Sequence, residues 1–200
     1  MMWCVPSLTS PVIADGRLNG SAQPVLAAGG GLALRPWLPA DAPAVAAAYA
    51  DPDIQRWHAW QVDSDDEARA LIVRWQRSWP AETGAHWAVT RAEGGEVLGR
   101  VALRSMTLSE GRAECAYWTA PAARGEGVAP RALGALSEWA FREIGFHRLE
   151  LLHSMANLPS CRVAVKAGFA AEGVQRSAAL HTDGWHDMHV HARINADEAH

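Results

Sequence analysis

"AARGEGVAPRAL" (residues 122–133) sets a cation, Arg124, and two glycines, Gly125 and Gly127, directly ahead of a stretch with helical periodicity, with Pro130 inside its first turn. A helix N-terminus leaves unpaired N–H groups and about half a unit of positive charge, and glycines in front of it let an anion approach the backbone. Arg124 adds a planar fork that suits phosphate oxygens, and Pro130 carries no N–H where the first turn has no acceptor for one. The stretch therefore reads as a phosphate cradle. A surface turn whose glycines serve only backbone geometry has the same short pattern, so the spacing alone leaves both readings open. A P-loop run is absent. A dinucleotide fingerprint needs a third glycine where Pro130 stands, although Glu150, at the end of the next strand, falls near the ~20-residue spacing of a ribose-binding acid. An oxidoreductase stays open on that coincidence.

The elements around the cradle set the fold class. Before it, "HWAVTR", "EVLGRVALRS" and "RAECAYW" are strand-like runs joined at Gly94-Gly95 and Gly111, an antiparallel meander. Earlier still, "LALRPW" alternates like a strand. "DAPAVAAAYA" opens a helix with Asp41 as N-cap, and "SDDEARALIVRWQRSW" opens another with the capping box Ser64 and Glu67. Behind the cradle, a helix over about 129–144 buries Leu133, Leu136, Ala140 and Ile144 and stops at Gly145. "HRLELLHS" is the next strand, "LPSCRVAVKAG" a short helix ended by Gly168, and "FAAEGVQRSAAL" with "HDMHVHARI" a closing hairpin across "TDGW". A meander followed by strand–helix–strand predicts a single α/β domain with a mixed, mostly antiparallel sheet flanked by helices. Residues 1–30 show no sustained periodicity and end in "LAAGGG". They read as an N-terminal extension of uncertain order ahead of a domain over 31–196.

Composition narrows the partners. With 49% hydrophobic residues, 200 residues supply one ordinary core. A net charge of -4 and no Lys/Arg run argue against nucleic acid, so a small molecule or peptide is expected. Cys4, Cys115 and Cys161 are odd in number and widely spaced, which suits a reducing compartment. The N-terminus has no signal-peptide pattern and no window holds about 20 apolar residues, so a cytoplasmic protein without a membrane partner is expected, monomeric or homodimeric.

From Leu32 to Ile194 the order of elements and the stretches "LALRPWLPADAPAV", "RAECAYWTAPAARGEGVAPRAL", "HRLELLHSMANLPSCRVAVKAGF", "AEGV" and "DGWHDMHVHARI" resemble the GNAT superfamily of acetyl-coenzyme A-dependent N-acetyltransferases, particularly its ribosomal-protein N-terminal (alanine) acetyltransferase branch. The resemblance implies a GNAT domain that passes an acetyl group directly to a primary amine. In that family an Arg-x-x-Gly-x-Gly/Ala loop holds the coenzyme A pyrophosphate, which assigns Arg124, Gly125, Gly127, Val128 and Ala129 to cofactor binding. Backbone groups of Trp118 and Thr119 would face the pantetheine arm as a neighbouring strand does. The Asn-x-x-Ser motif implies that Asn157 binds pantetheine and Ser160 returns a proton to the thiolate, while both residue types also suit plain helix capping. Glu114, on the strand before the loop, corresponds to the carboxylate that relays the amine proton. A solvent-facing strand carboxylate is the plainer alternative. Trp57 and Trp60, in "QRWHAW", fall where the family places part of its acceptor site, and ordinary packing also accounts for them. The expected acceptor is a protein N-terminal α-amine. A small amine such as an antibiotic, amino acid or polyamine fits the same fold, and a non-catalytic acyl-coenzyme A sensor is the other class.

Two further patterns lead elsewhere. His189 and His191 share one strand face, with His181 and His186 near in sequence, yet no acidic or cysteine partner stands at ligand spacing, so no metal is expected. Local periodicity places no histidine beside Cys115 or Cys161, which leaves an acyl-thiol intermediate without an activating base.

Overall fold

The computed structural model describes residues 8–58 and 60–195. In chain order these form β1 (Leu26–Ala27), β2 (Leu32–Pro36), α1 (Ala42–Ala50), α2 (Pro52–His58), α3 (Asp65–Ser78), β3 (Gly84–Arg91), β4 (Val97–Thr107) and β5 (Arg112–Thr119). Then follow α4 (Val128–Trp139), β6 (Arg148–Ser154), α5 (Leu158–Lys166), β7 (Ala170–His181) and β8 (Gly184–Ile194). One sheet runs in the order β1-β2-β3-β4-β5-β6-β8-β7. Its neighbours are antiparallel throughout except β5 and β6, which are parallel. The expected fold class is the one observed.

Helices cover both faces, so the central strands are buried on both sides and β3 and β4 read as near-continuous apolar runs. On one face Trp87, Leu103, Phe146, Leu149 and Leu151 pack with Leu133 and Leu136 of α4 and Ala164 of α5. On the other, Trp37, Tyr49, Ile72, Trp75, Ala88 and Trp118 pack among α1, α2 and α3. Alternation along β5 sends Ala113 and Cys115 to the first core and Trp118 to the second. Leu133 and Leu136 are fully buried, and each contributes about 1.5–3 kcal/mol. Truncating either to Ala would cost about 2–5 kcal/mol because the cavity left behind collapses only in part. The α4 helix runs into a π-helical turn, Ala140–Ile144, and ends at Gly145 as expected.

Three local expectations change. Residues 8–30, expected to be an extension of uncertain order, are packed against the core. Ile13 and Leu18 are buried in the core, the Val12 and Ile13 N–H groups donate to the Ser109 and Leu108 carbonyls, and the Trp87 indole donates to the Pro24 carbonyl at 2.8 Å. Leu26 and Ala27 then pair with β2. This segment lacks periodicity because turns and isolated backbone bonds hold it, not a repeating face. These residues therefore pack against the domain expected over 31–196, while residues 1–7 lie outside the described residues. Asp41 is also not a side-chain cap for α1. Its carboxylate accepts both Arg35 guanidinium nitrogens at 2.7 Å and the Leu38 N–H at 2.8 Å, closing the preceding 3-10 turn. The Ser64 cap does form, accepting from the Glu67 N–H, but Glu67 reaches back to the Asp63 N–H, one residue earlier than a full capping box.

Candidate active site

β5 and β6 part company after three residues. Arg112, Ala113 and Glu114 pair with Arg148, Leu149 and Glu150, and no β6 residue pairs with β5 beyond that point. β5 stays paired with β4 as far as Thr119, and β6 with β8 as far as Ser154. The sheet thus opens as a V. A cavity of about 1010 Å³ runs through the opening, with the glycine loop at its wide end.

Arg124, Gly125, Gly127, Val128 and Ala129 all line that cavity, as do Trp118 and Thr119 of β5 and Asn157 and Ser160 of α5. Gly127 is the N-cap of α4 with φ 75° and no capping side chain, and Gly125 has φ 85°. Both conformations suit glycine and leave the first N–H groups of α4 without a side-chain acceptor. An anion is the partner such a terminus takes. Arg124 reaches Asp51 at 2.5 Å and Asp53 at 2.9 Å, so two carboxylates already hold the fork that the sequence aims at phosphate. Arg162 and Lys166, one turn apart on α5, add cations on the cavity wall that the sequence reading passed over.

Asn157 caps α5, its side-chain oxygen accepting from the Ser160 N–H at 3.1 Å, and it faces the cavity from there. Ser160 has a partner that sequence reasoning missed. Its hydroxyl lies 2.7 Å from the Tyr117 hydroxyl, which reaches across the V from β5. Burial pushes the Tyr117 phenol up to about 12, the Ser160 hydrogen bond working against it. The phenol therefore keeps its proton. Alternation along "RAECAYW" was the available signal, since it turns Tyr117 away from Trp118.

Glu114 stands at the apex of the V, at the last paired position. Its carboxylate is bound by Arg104 and does not line the cavity, whereas Arg104 does. Glu150 occupies the same apex, held by Arg148 at 2.7 Å and Arg112 at 3.0 Å. That removes the dinucleotide reading, because a ribose-binding acid would belong at the loop end.

Trp57 and Trp60 both line the cavity on the side of α2. Trp57 meets His181 and His186 edge-on at 6.0 and 6.3 Å, and Arg74 lies over Trp60 at 4.7 Å. Deeper, the Arg100 guanidinium sits 4.7 Å over the Trp75 ring and donates to His86 Nδ1 at 2.7 Å, with no carboxylate partner among the described residues. Burial brings Arg100 down to about 10. His58 donates Nε2–H to the Tyr117 carbonyl, and burial, helped by the charge of Arg100, lowers it to about 4. The same causes lower His86 to about 2. Both imidazoles are neutral, so the positive charge at this end belongs to arginine.

The profile of the acetyltransferase (GNAT) domain matches residues 32–170. The chain belongs to the GNAT acetyltransferase family. It is an N-acetyltransferase that uses acetyl-coenzyme A. Among its relatives is the uncharacterized N-acetyltransferase YoaA of Bacillus subtilis, 23% identical over 168 residues, which span 84% of this chain and 95% of the relative. The ribosomal L7/L12 alpha-N-protein acetyltransferase RimL in complex with coenzyme A superposes with a TM-score of 0.79 at 20% identity, over 86% of this chain and 98% of RimL. The microcin C7 self-immunity acetyltransferase MccE in complex with acetyl-CoA and AMP gives 0.74 at 17% identity, over 84% and 94%. At these identities the two structures speak to the fold of this GNAT chain.

The histidine and cysteine expectations need correction. His181 and His186 lie beside Trp57, but β6, α5 and β8 bring His153 and Cys161 up against His189 and His191. The Cys161 sulfur lies 3.9 Å from His189 Nδ1 and 3.8 Å from His191 Nε2. A cysteine partner therefore exists, and histidines do flank a thiol. Local periodicity is blind to both because the residues come from three separate elements. Cys115 is fully buried, which raises its thiol far above its usual range and keeps it inert. No described helix is long and apolar enough to cross a membrane.

Proposed function

We propose that this GNAT enzyme acetylates a protein N-terminal α-amine by direct attack on the thioester in a ternary complex. The observation that carries the reading is the opened β5–β6 pair, with the glycine cradle at its mouth and the Tyr117–Ser160 hydroxyl pair inside the same cavity. Gly125, Gly127, Val128 and Ala129 would hold the pyrophosphate through backbone N–H groups, with Arg124 released from its aspartates, and the unpaired edge at Trp118 and Thr119 would receive the pantetheine amide. Asn157 fixes the α5 terminus so that Ser160 faces the sulfur. Ser160, backed by the protonated Tyr117, delivers a proton to the departing thiolate. Glu114 takes the amine proton through water, since Arg104 holds its carboxylate off the cavity.

Trp57 and Trp60 would wall the acceptor end. Arg100 there, which has no carboxylate partner among the described residues, favours with Arg74 an acceptor that carries an anionic group close to its amine, because a buried cation without a counter-ion gains most from one. A ribosomal-protein N-terminus with an acidic residue nearby satisfies this. A phosphorylated small amine satisfies it too, and the AMP in the MccE complex supports that second reading.

Thiol release from acetyl-coenzyme A, measured across acidic peptides, basic peptides and small amines with and without phosphate, tests the proposal. Turnover with acidic peptides supports it. Turnover confined to small amines replaces it with the second reading, and coenzyme binding without turnover on any acceptor makes the protein a sensor.

A further inference from the structure

His153, Cys161, His189 and His191 each offer one ligand atom, and these atoms all lie within 4.8 Å of one another. We propose that the four side chains form a binding site for a single borderline-soft divalent cation, Zn²⁺ being the best match, which pins the start of α5 to β6 and β8. The cluster is separate from the cradle, and acetyl transfer as derived above has no step that calls for an ion.

Geometry comes first. In a tetrahedral site with Zn–S about 2.3 Å and Zn–N about 2.0–2.1 Å, ligand atoms lie about 3.3–3.6 Å apart. The sulfur-to-nitrogen separations of 3.9 and 3.8 Å are a few tenths longer than that and too long for a good hydrogen bond. The rings are already gathered, with centroids 5.1 Å apart for His153 and His191 and 4.3 Å for His189 and His191. Register explains why. Leu151 pairs with His191 and His153 with His189, so all three imidazoles emerge on one face of adjacent strands, beneath the first turn of α5 that carries Cys161.

Chemistry comes next. Among the described residues, His153 Nε2 is a buried side-chain nitrogen without a hydrogen-bond partner, and on His191 it is Nε2 that faces the Cys161 sulfur. Such an orphan costs roughly 1–3 kcal/mol and calls for an explanation. His153 donates Nδ1–H to the Ser154 carbonyl at 2.8 Å, which fixes the tautomer that turns the lone pair of Nε2 inward. A carbonyl on the far ring nitrogen is the usual support of a metal-bound imidazole. Three neutral imidazoles and one thiolate are a borderline-soft donor set of the kind that selects Zn²⁺ over Mg²⁺ or Ca²⁺. On binding, Cys161 gives its thiol proton to solvent. The consequence for the enzyme is positional. Cys161 follows Ser160 directly, so an ion that anchors Cys161 also fixes the hydroxyl that meets Tyr117.

Titration of the full-length, reduced, chelator-stripped protein with Co²⁺, a spectroscopic stand-in for Zn²⁺, tests the proposal. The expected result is intense tetrahedral visible bands plus a sulfur-to-cobalt charge-transfer band, saturating at one equivalent and bleached by Zn²⁺. Cys161→Ser should lose the charge-transfer band while its circular dichroism is unchanged. His189→Ala, at a half-buried position, should weaken binding by about 100-fold or more while its circular dichroism is unchanged. Weak octahedral spectra, or a charge-transfer band that persists in Cys161→Ser, would overturn the site. No acetyl donor enters the measurement, so its failure is distinct from failure of the acetyltransferase reading.

Discussion

Replacing Tyr117 by Phe removes one oxygen and leaves the ring where it packs. The lost contact is the 2.7 Å link to Ser160 across the opened strands. As a structural bond it is worth about 1 kcal/mol, so the variant should fold. As part of a proton donor it is worth more. General acid catalysis contributes about 10²–10⁴-fold. The departing thiol resembles a cysteine, with a pKa of about 8.5, so at about pH 7 the thiolate is disfavoured relative to the thiol by only about 2 kcal/mol. That modest deficit places the expected loss at the low end, about 10²-fold in kcat, or roughly 2.7 kcal/mol of barrier. Ser160→Ala should lose a similar amount. Because the two hydroxyls act as one donor, the double variant should be little worse than the poorer single. Thiol release at saturating acetyl-coenzyme A and acceptor measures kcat, and calorimetry should find coenzyme affinity within about threefold of the parent. Singles that retain half of kcat, or losses that multiply in the double variant, would refute the shared donor.

The N-cap glycine of α4 and a glycine inside that helix should respond with opposite signs: Gly127→Ala, at φ 75°, should destabilise by about 1–2 kcal/mol, and Gly134→Ala, whose added Cβ meets nothing within 4 Å, should stabilise by about 0.5–1 kcal/mol, both read from urea midpoints. Glu114→Gln should lower kcat about tenfold with a peptide α-amine, whose pKa near 8 already leaves about a tenth neutral at about pH 7, and a collapse below detection would contradict that acceptor. His58 stays neutral in the folded protein down to about 4, while the unfolded chain takes up its proton near 6.5. Its contribution to stability is therefore complete above that upper value and shrinks as pH falls between the two, by up to about 1.4 kcal/mol per unit. In urea melts over that window, His58→Gln should show a flatter pH dependence than the parent, and parallel curves would contradict the assignment.

What was legible in the sequence is local. Gly125 and Gly127 announce the left-handed turn and N-cap that start α4, because that geometry is written within a few residues. Ser64 announces its cap and Gly145 its stop for the same reason. The antiparallel meander and the closing hairpin followed from turn chemistry and connection length. What escaped the sequence depends on distant residues meeting. Tyr117 and Ser160 stand 43 positions apart, and only the parting of β5 from β6 lets their hydroxyls touch. Arg104 captures Glu114 through antiparallel register, which no spacing rule in the β5 sequence contains. Ile13 and Leu18 plug the core from an aperiodic segment, and the His153, Cys161, His189 and His191 cluster draws on three elements.

The opening between β5 and β6 is itself a consequence of how each strand is anchored. β5 is tied to β4 from Arg112 to Thr119, and Gly99 permits an approach so close that a Cβ there would stand 2.5 Å from the Trp118 carbonyl oxygen. β6 is tied to β8 along its whole length, from Arg148 to Ser154. Each strand therefore belongs to a different half of the sheet, and the three-residue parallel pairing at Glu114 and Glu150 is the hinge line where the halves join. Because neighbours on the far sides hold the gap open, a ligand that enters need not pay to separate the strands, and the edge groups it meets are already aimed. Position, more than any one acid or base, is what this arrangement supplies, since holding two reactants in register is worth several kcal/mol and a shift of about 1 Å can cost about 10²-fold. That ranking is why the loss predicted for Glu114→Gln is graded, and why groups that fix α5 against the sheet matter as much as the hydroxyl α5 carries.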